Sequence, residues 1–228
     1  MNNASFGHYV IAYHGCDVEV GSSVVENELD LEPSKNPYDW LGDGIYFFEG
    51  DLERARRFAE QAARFPERRL SSKPIVLPYA IGAIIHLGHC LDLSTQRGVD
   101  EFSTAYEDLV KGMGPDQELP INKCASASDQ DYILHNLDRA VINFVHGKRM
   151  KNGDKPYDTV RGFFRQGDAV MPTSAFGRLS HVQIAVRNKE CILGYFHPRS
   201  PDNDPFMGLS RIPPLPYKKK KLRASGKC

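Results

Sequence analysis

No stretch of this 228-residue chain approaches the roughly 20 consecutive apolar residues that a membrane-spanning helix needs. The first residues, Met-Asn-Asn-Ala-Ser, hold neither a basic cluster nor an apolar run, so no secretory signal is expected. Cysteines are few: Cys16, Cys90, Cys124, Cys191 and Cys228, odd in number and widely scattered. That spacing argues against a disulfide framework and does not fit a structural zinc site. It points to free thiols in a reducing compartment, the cytoplasm. Internal repeats are absent, and so is a Walker-type phosphate loop. Net charge is zero overall but not locally. Seven of the 29 basic side chains fall within residues 211–228, which hold no acid, so residues 1–210 carry 22 basic and 29 acidic groups, a net of −7. An acidic body is a poor general adhesive for nucleic acid.

Apolar residues make up 41% of the chain, enough for one core. Residues 1–200 read as one domain. Residues 201–228 are Pro-rich, then basic, and little order is expected there. Strands are expected at 8–14, 73–87 (with Gly82 a point where it could break), 157–164, 181–186 and 191–196. Helices are expected at 22–28, 51–64, 100–111 and 129–146. Asp51 is the expected cap of the second, and Leu52, Ala55, Phe58, Ala59 and Ala62 form its apolar face. Closely spaced strands at the end of the chain predict an α+β domain with a largely antiparallel sheet.

Two short motifs carry chemistry. His14 ends the first expected strand and is followed by Gly15. A side chain there is anchored yet reaches a cleft, and the glycine lets a ligand approach the backbone. The turn Gly42-Asp43-Gly44-Ile45-Tyr46-Phe47 brings an aromatic ring to a similar position, where a planar heterocycle could stack. A ribose hydroxyl for the histidine, a carboxamide for the glycine backbone and a flat ring for the tyrosine suit nicotinamide riboside chemistry. The residues alone reach no further than a small-ligand cleft.

Tyr13-His14-Gly15, then Gly42 to Phe47, then a helix, resembles the ADP-ribosyltransferases of the diphtheria-toxin and poly(ADP-ribose) polymerase branch. The resemblance implies an ADP-ribosyltransferase-like split sheet core spanning most of residues 9–197, with NAD+ as co-substrate and no metal. It implies that His14 bonds the adenosine ribose, Gly15 bonds the nicotinamide carboxamide, and Tyr46 packs on the nicotinamide ring. Gly44 belongs to the NAD-binding turn. Phe58, one residue out of the family's register, would cover the other ring face. Ala55 stands near the position of the family's serine. The third signature residue, a glutamate on a late strand, falls on Gln183.

A carboxylate there would stabilise the oxocarbenium-like transition state and grip the ribose 2′-hydroxyl. Gln183 keeps the grip and lacks the charge, which implies transfer of a single ADP-ribose. His181 lies two residues earlier, on the same strand face, and is a candidate base for the acceptor. Its alternative role is a surface strand end. The loop 165–179 is where such enzymes choose an acceptor. Phe176 and Arg178 could contact it there, or Phe176 could plug the core. The resemblance implies a macromolecular acceptor, protein or nucleic acid (RNA or DNA). It also admits a bacterial toxin or phage-defence role with an antitoxin or other inhibitory protein as partner. Two other functions stay open: a non-catalytic NAD-binding module and an NAD glycohydrolase. His86, His89 and Cys90 have a metal-like look but lack a distant fourth ligand. Lysines 218–221 could meet RNA or lipid headgroups, although a solvated tail is the expectation.

Overall fold

A computed structural model describes residues 8–68, 71, 73–124 and 132–199. The tail at 201–228 lies outside the described residues, as do residues 129–131, the start of the fourth expected helix. Strand β1 (Tyr9–Asp17) runs directly into helix α1 (Val18–Val25). Strand β2 (Ile45–Glu49) precedes α2 (Leu52–Arg64). Strands β3 (Pro78–His86) and β4 (Cys90–Asp92) lead to α3 (Gln96–Lys111) and α4 (Asn136–Lys151). Strands β5 (Thr159–Phe164), β6 (His181–Val186) and β7 (Ile192–Phe196) follow.

The seven strands form one sheet, in the order β4-β5-β6-β2-β1-β3-β7. Every neighbouring pair is antiparallel except β4 and β5. The fold is thus α+β with a mostly antiparallel sheet, as the sequence predicts. β1 pairs with β3 along its whole length, from Tyr9 opposite His86 to Asp17 opposite Pro78. It pairs with β2 only at Ala12–Glu49 and Tyr13–Phe48.

Strand alternation sorts the side chains onto two faces. Ala12, Cys16, Ile45, Phe47, Ile81, Ala83, Ile85, Ile184 and Val186 form the larger core with Val24 of α1. On the other face, α2 sets Ala55 and Phe58 against Tyr13, Phe48 and Ala80. Farther along that face, Val141, Ile142 and Val145 of α4 and Ala105 of α3 pack on Tyr46, Leu91, Val160 and Ala185. Asp51 caps α2 as expected, its carboxylate accepting from the Arg54 N–H at 2.8 Å. Ala55, Ala59 and Ala62 of the expected apolar face are buried.

The structure corrects several boundaries. β3 passes through Gly82 unbroken, because the ring of Phe196 fills the space a side chain there would take. β2 and β4 were not expected. β2 is a short apolar run without the alternation that marks a half-buried strand, and β4 has only three residues. α1 starts at Val18 because Asp17 accepts from the Glu19 N–H and caps it. α3 starts at Gln96 because Thr95 caps it, accepting from the Gly98 N–H. α4 runs on to Lys151, and its last turn holds Lys148, Arg149 and Lys151, which suit the negative helix end.

A Cβ on Gly98 would lie 2.0 Å from the Asp92 carbonyl oxygen. Helix propensity favours alanine over glycine by about 1 kcal/mol, but this clash with backbone outweighs it. Gly98→Ala should therefore destabilise the protein by roughly 1–3 kcal/mol. Urea denaturation measures this, and a raised midpoint would contradict the packing described.

Candidate functional site

Beyond Tyr13 and Phe48 the β1–β2 ladder stops, and a side chain bridges the strands. His14 donates from Nδ1 to the Tyr46 carbonyl oxygen at 2.8 Å. A carbonyl only accepts, so the ring carries its proton on Nδ1. Burial lowers the His14 pKa, and the bond to Tyr46 partly opposes the shift. The neighbouring Gly15 faces α2. A Cβ there would lie 2.4 Å from the Ala55 carbonyl oxygen and 3.1 Å from the Phe58 ring, so this position requires glycine for close approach.

Tyr46 is held at its other end too. Its hydroxyl accepts from the Leu41 N–H at 3.0 Å and donates to the Gly42 carbonyl at 2.8 Å. Burial, with Asp39 nearby, raises its pKa well above the usual phenol value. Helix α4 clamps the same turn. Arg139 pairs with Asp43 at 2.7 Å, and Asn143 accepts from the Asp43 N–H at 3.2 Å while donating to its carboxylate at 3.1 Å. Gly42 has φ +78°, the left-handed region, and Ile142 leaves no room for a Cβ there. A Cβ on Gly44 would lie 3.0 Å from the Val186 carbonyl oxygen, and Gly44 pairs with Ser34 in an isolated bridge.

Gln183 stands across from Phe48 on one side and Gly162 on the other. It therefore lies on the α2 and α4 face, between the two packed clusters. The Trp40 indole N–H donates to its amide oxygen at 2.6 Å. Around it runs an arc of rings. Trp40 meets Phe164 at 4.7 Å, Phe164 meets His135 at 4.9 Å and His181 at 5.4 Å, and His181 meets Phe48 at 5.0 Å between centroids. The Arg54 guanidinium lies 5.0 Å from the Phe48 ring centre, and Phe58 is 6.0 Å from the same ring.

Three polar side chains of this arc are buried with unmet bonding capacity. His181 donates from Nδ1 to the Leu179 carbonyl, and its Nε2 has no partner among the described residues. His135 bonds the Asp138 carboxylate through Nδ1 at 2.7 Å, and its Nε2 is likewise unpartnered. Arg54 donates from Nη2 to the Gln166 amide oxygen at 2.7 Å, whereas Nε and Nη1 have no acceptor among the described residues. Burial lowers the His181 pKa to about 4, with the Arg54 charge adding to the shift.

The structure thus joins the predicted residues in two groups. His14 and Tyr46 share a hydrogen bond, and Gly15 lies against Phe58. Gln183 and His181 share the arc across Phe48. His181 is buried, which corrects its reading as a surface strand end. Phe176 is 61% exposed, so it does not plug the core. Arg178 folds back toward the Val170 carbonyl at 3.4 Å. His86 stacks on Tyr9 and His89 on Tyr157, and no group of three potential metal ligands exists among the described residues. Sequence reading missed Trp40, Arg54, His135 and Phe164. A signal exists for Arg54: it stands four residues before Phe58, on the flank of the helix face that packs. Two surface cavities, of about 340 and 280 Å³, lie along α3 and α4 and beside Tyr157; neither is lined by a residue of the arc. A scan of protein-family models and searches of curated proteins and solved structures find no match to this chain.

The burial of His181 has a pH consequence. The unfolded chain takes up its proton near pH 6.5, the folded protein only near pH 4. The neutral ring's contribution is complete above pH 6.5 and is lost as the pH falls toward 4, by roughly 2–4 kcal/mol at most. His146, lowered by burial to about 3, acts in the same direction and remains in place. His181→Gln should therefore weaken, not abolish, the fall in denaturant midpoint between pH 6.5 and 4. An unchanged slope would mean that His181 is protonated in the fold.

Proposed function

We propose that this chain is an NAD+-dependent mono-ADP-ribosyltransferase with an ADP-ribosyltransferase-like fold, acting on a macromolecular acceptor. The observation that carries this reading is the His14–Tyr46 bond at the point where the β1–β2 ladder ends. It unites the two motifs on which the family resemblance rests. The approach of Gly15 to Phe58 and the register of Gln183 opposite Phe48 support it further.

In this reading Gly15 offers its backbone to the carboxamide, and Tyr46 and Phe58 bracket the nicotinamide. Gln183 grips the ribose 2′-hydroxyl. As the glycosidic bond to nicotinamide breaks, its electron pair leaves with the nicotinamide nitrogen and positive charge grows on the ribose. A neutral amide stabilises that charge less than a carboxylate would. The acceptor then attacks the anomeric carbon and gives up a proton. The imidazoles of His181 and His135 present unpartnered Nε2 atoms in the arc. The Asp138 carboxylate holds His135 through Nδ1 and so orients Nε2, the atom that would take the acceptor's proton.

Gln183→Glu leaves the Trp40 N–H an acceptor and adds the charge. Charged hydrogen bonds exceed neutral ones by about 1–2 kcal/mol, so NAD+ cleavage to free ADP-ribose should rise roughly 5- to 30-fold. Gln183→Ala should cut transfer sharply. Incubation with labelled NAD+ and cell lysate, split into protein, nucleic acid and small-molecule fractions, reads all three outcomes. Label on a macromolecule supports transfer, free ADP-ribose alone indicates a glycohydrolase, and no turnover in wild type or Gln183→Glu points to a binding module.

A further inference from the structure

We propose that Arg54 anchors a phosphate-binding site in the arc between α2 and β6. Arg54 is only 7% exposed, with its Nε and Nη1 buried, yet it has no ion-pair partner among the described residues. Of the carboxylates near it in sequence, Glu53 pairs with Arg57, and Asp51 accepts from the Arg54 backbone N–H and acts on the guanidinium only through its field. Among the described residues, the side chain's one hydrogen bond goes to a neutral amide, Gln166. Burying a charge without a direct ion pair is costly, the Asp51 field and the Phe48 ring face offset only part of it, and an apolar side chain of similar length would pack against Phe48 without that penalty. Arginine at this position is therefore explained by an anion that arrives from outside the chain.

The surroundings specify the anion. His181 packs on the same Phe48 ring and presents a second unpartnered nitrogen, Nε2. Protonated, its Nε2 donates a hydrogen bond to an oxyanion; unprotonated, it accepts one from the O–H of a monoprotonated phosphate. Four further members of the arc are aromatic, Phe48, Phe58, Phe164 and Trp40, and its polar far end holds Gln183 and the His135–Asp138 pair. A guanidinium and an imidazole beside flat rings suit a phosphate attached to a nucleoside, the phosphate taking the donors and the base or sugar lying on the rings. The inference rests on these residues and not on the transferase reading. The same phosphate chemistry could come from the pyrophosphate of a dinucleotide or from a phosphorylated nucleic-acid acceptor.

Thermal unfolding at constant ionic strength tests it, with sodium pyrophosphate, ADP-ribose and a 5′-phosphorylated oligonucleotide as probes and chloride as the control anion. The wild-type Tm should rise saturably with pyrophosphate. Arg54→Met should need roughly 10- to 100-fold more of it, whereas Arg57→Met, exposed on the same helix, should behave as wild type. A response to ADP-ribose that Arg54→Met loses assigns the site to a dinucleotide. A response to the oligonucleotide alone assigns it to an acceptor phosphate. If Arg54→Met does not fold, the decision passes to the wild-type protein, where pyrophosphate should move the His181 ring nitrogen resonances. A wild type that none of the probes stabilises and whose His181 resonances stay fixed overturns the proposal, as does a folded Arg54→Met that keeps the full response.

Discussion

Tyr46 is the residue on which the centre of this protein depends. Its carbonyl accepts from His14, its hydroxyl is shared by Leu41 and Gly42, and its ring packs into the cluster beneath α4. One side chain and one carbonyl thus tie β1, β2 and the turn at 41–44 together where the β1–β2 ladder has only two pairs. Each bond is modest by itself, about 1 kcal/mol net. Their placement matters more than their sum, because buried donors and acceptors left without partners are costly. The turn cannot move without exposing them.

The same economy explains the length of α4. Arg139 and Asn143 hold Asp43, and Ile142 closes the space beside Gly42. Val141, Ile142 and Val145 meanwhile fill the core under the strand that carries Gln183. The helix is therefore structural support for the turn and the sheet at once. Its N-terminal end brings His135 and Asp138 to the arc, so support and candidate chemistry come from one element.

Much of this was legible in the chain and some was not. The α2 cap at Asp51, its buried alanines and the strand at 181–186 follow from local signals. The strand-end reading of His14 does not hold, since β1 runs on to Asp17, and no spacing rule says that the His14 side chain and the Tyr46 backbone meet across 32 residues. β2 was hidden because a short strand buried on both faces lacks alternation. Trp40, His135 and Phe164 were hidden for a different reason. They come from a loop, a helix start and a strand end far apart in sequence, and only the sheet order β5-β6-β2 brings them round Gln183. The buried state of His181 is tertiary too, since Phe48 and Phe164 cover it from two strands.

In the proposed function the His14–Tyr46 junction holds NAD+. Calorimetric titration of NAD+ into wild-type protein and into a folded His14→Ala variant tests it most directly. Saturable one-to-one binding to the wild type, weakened at least about tenfold in the variant by loss of a buried hydrogen-bonding partner, is the predicted result. No binding to the wild type, or equal affinity in both proteins, would contradict it.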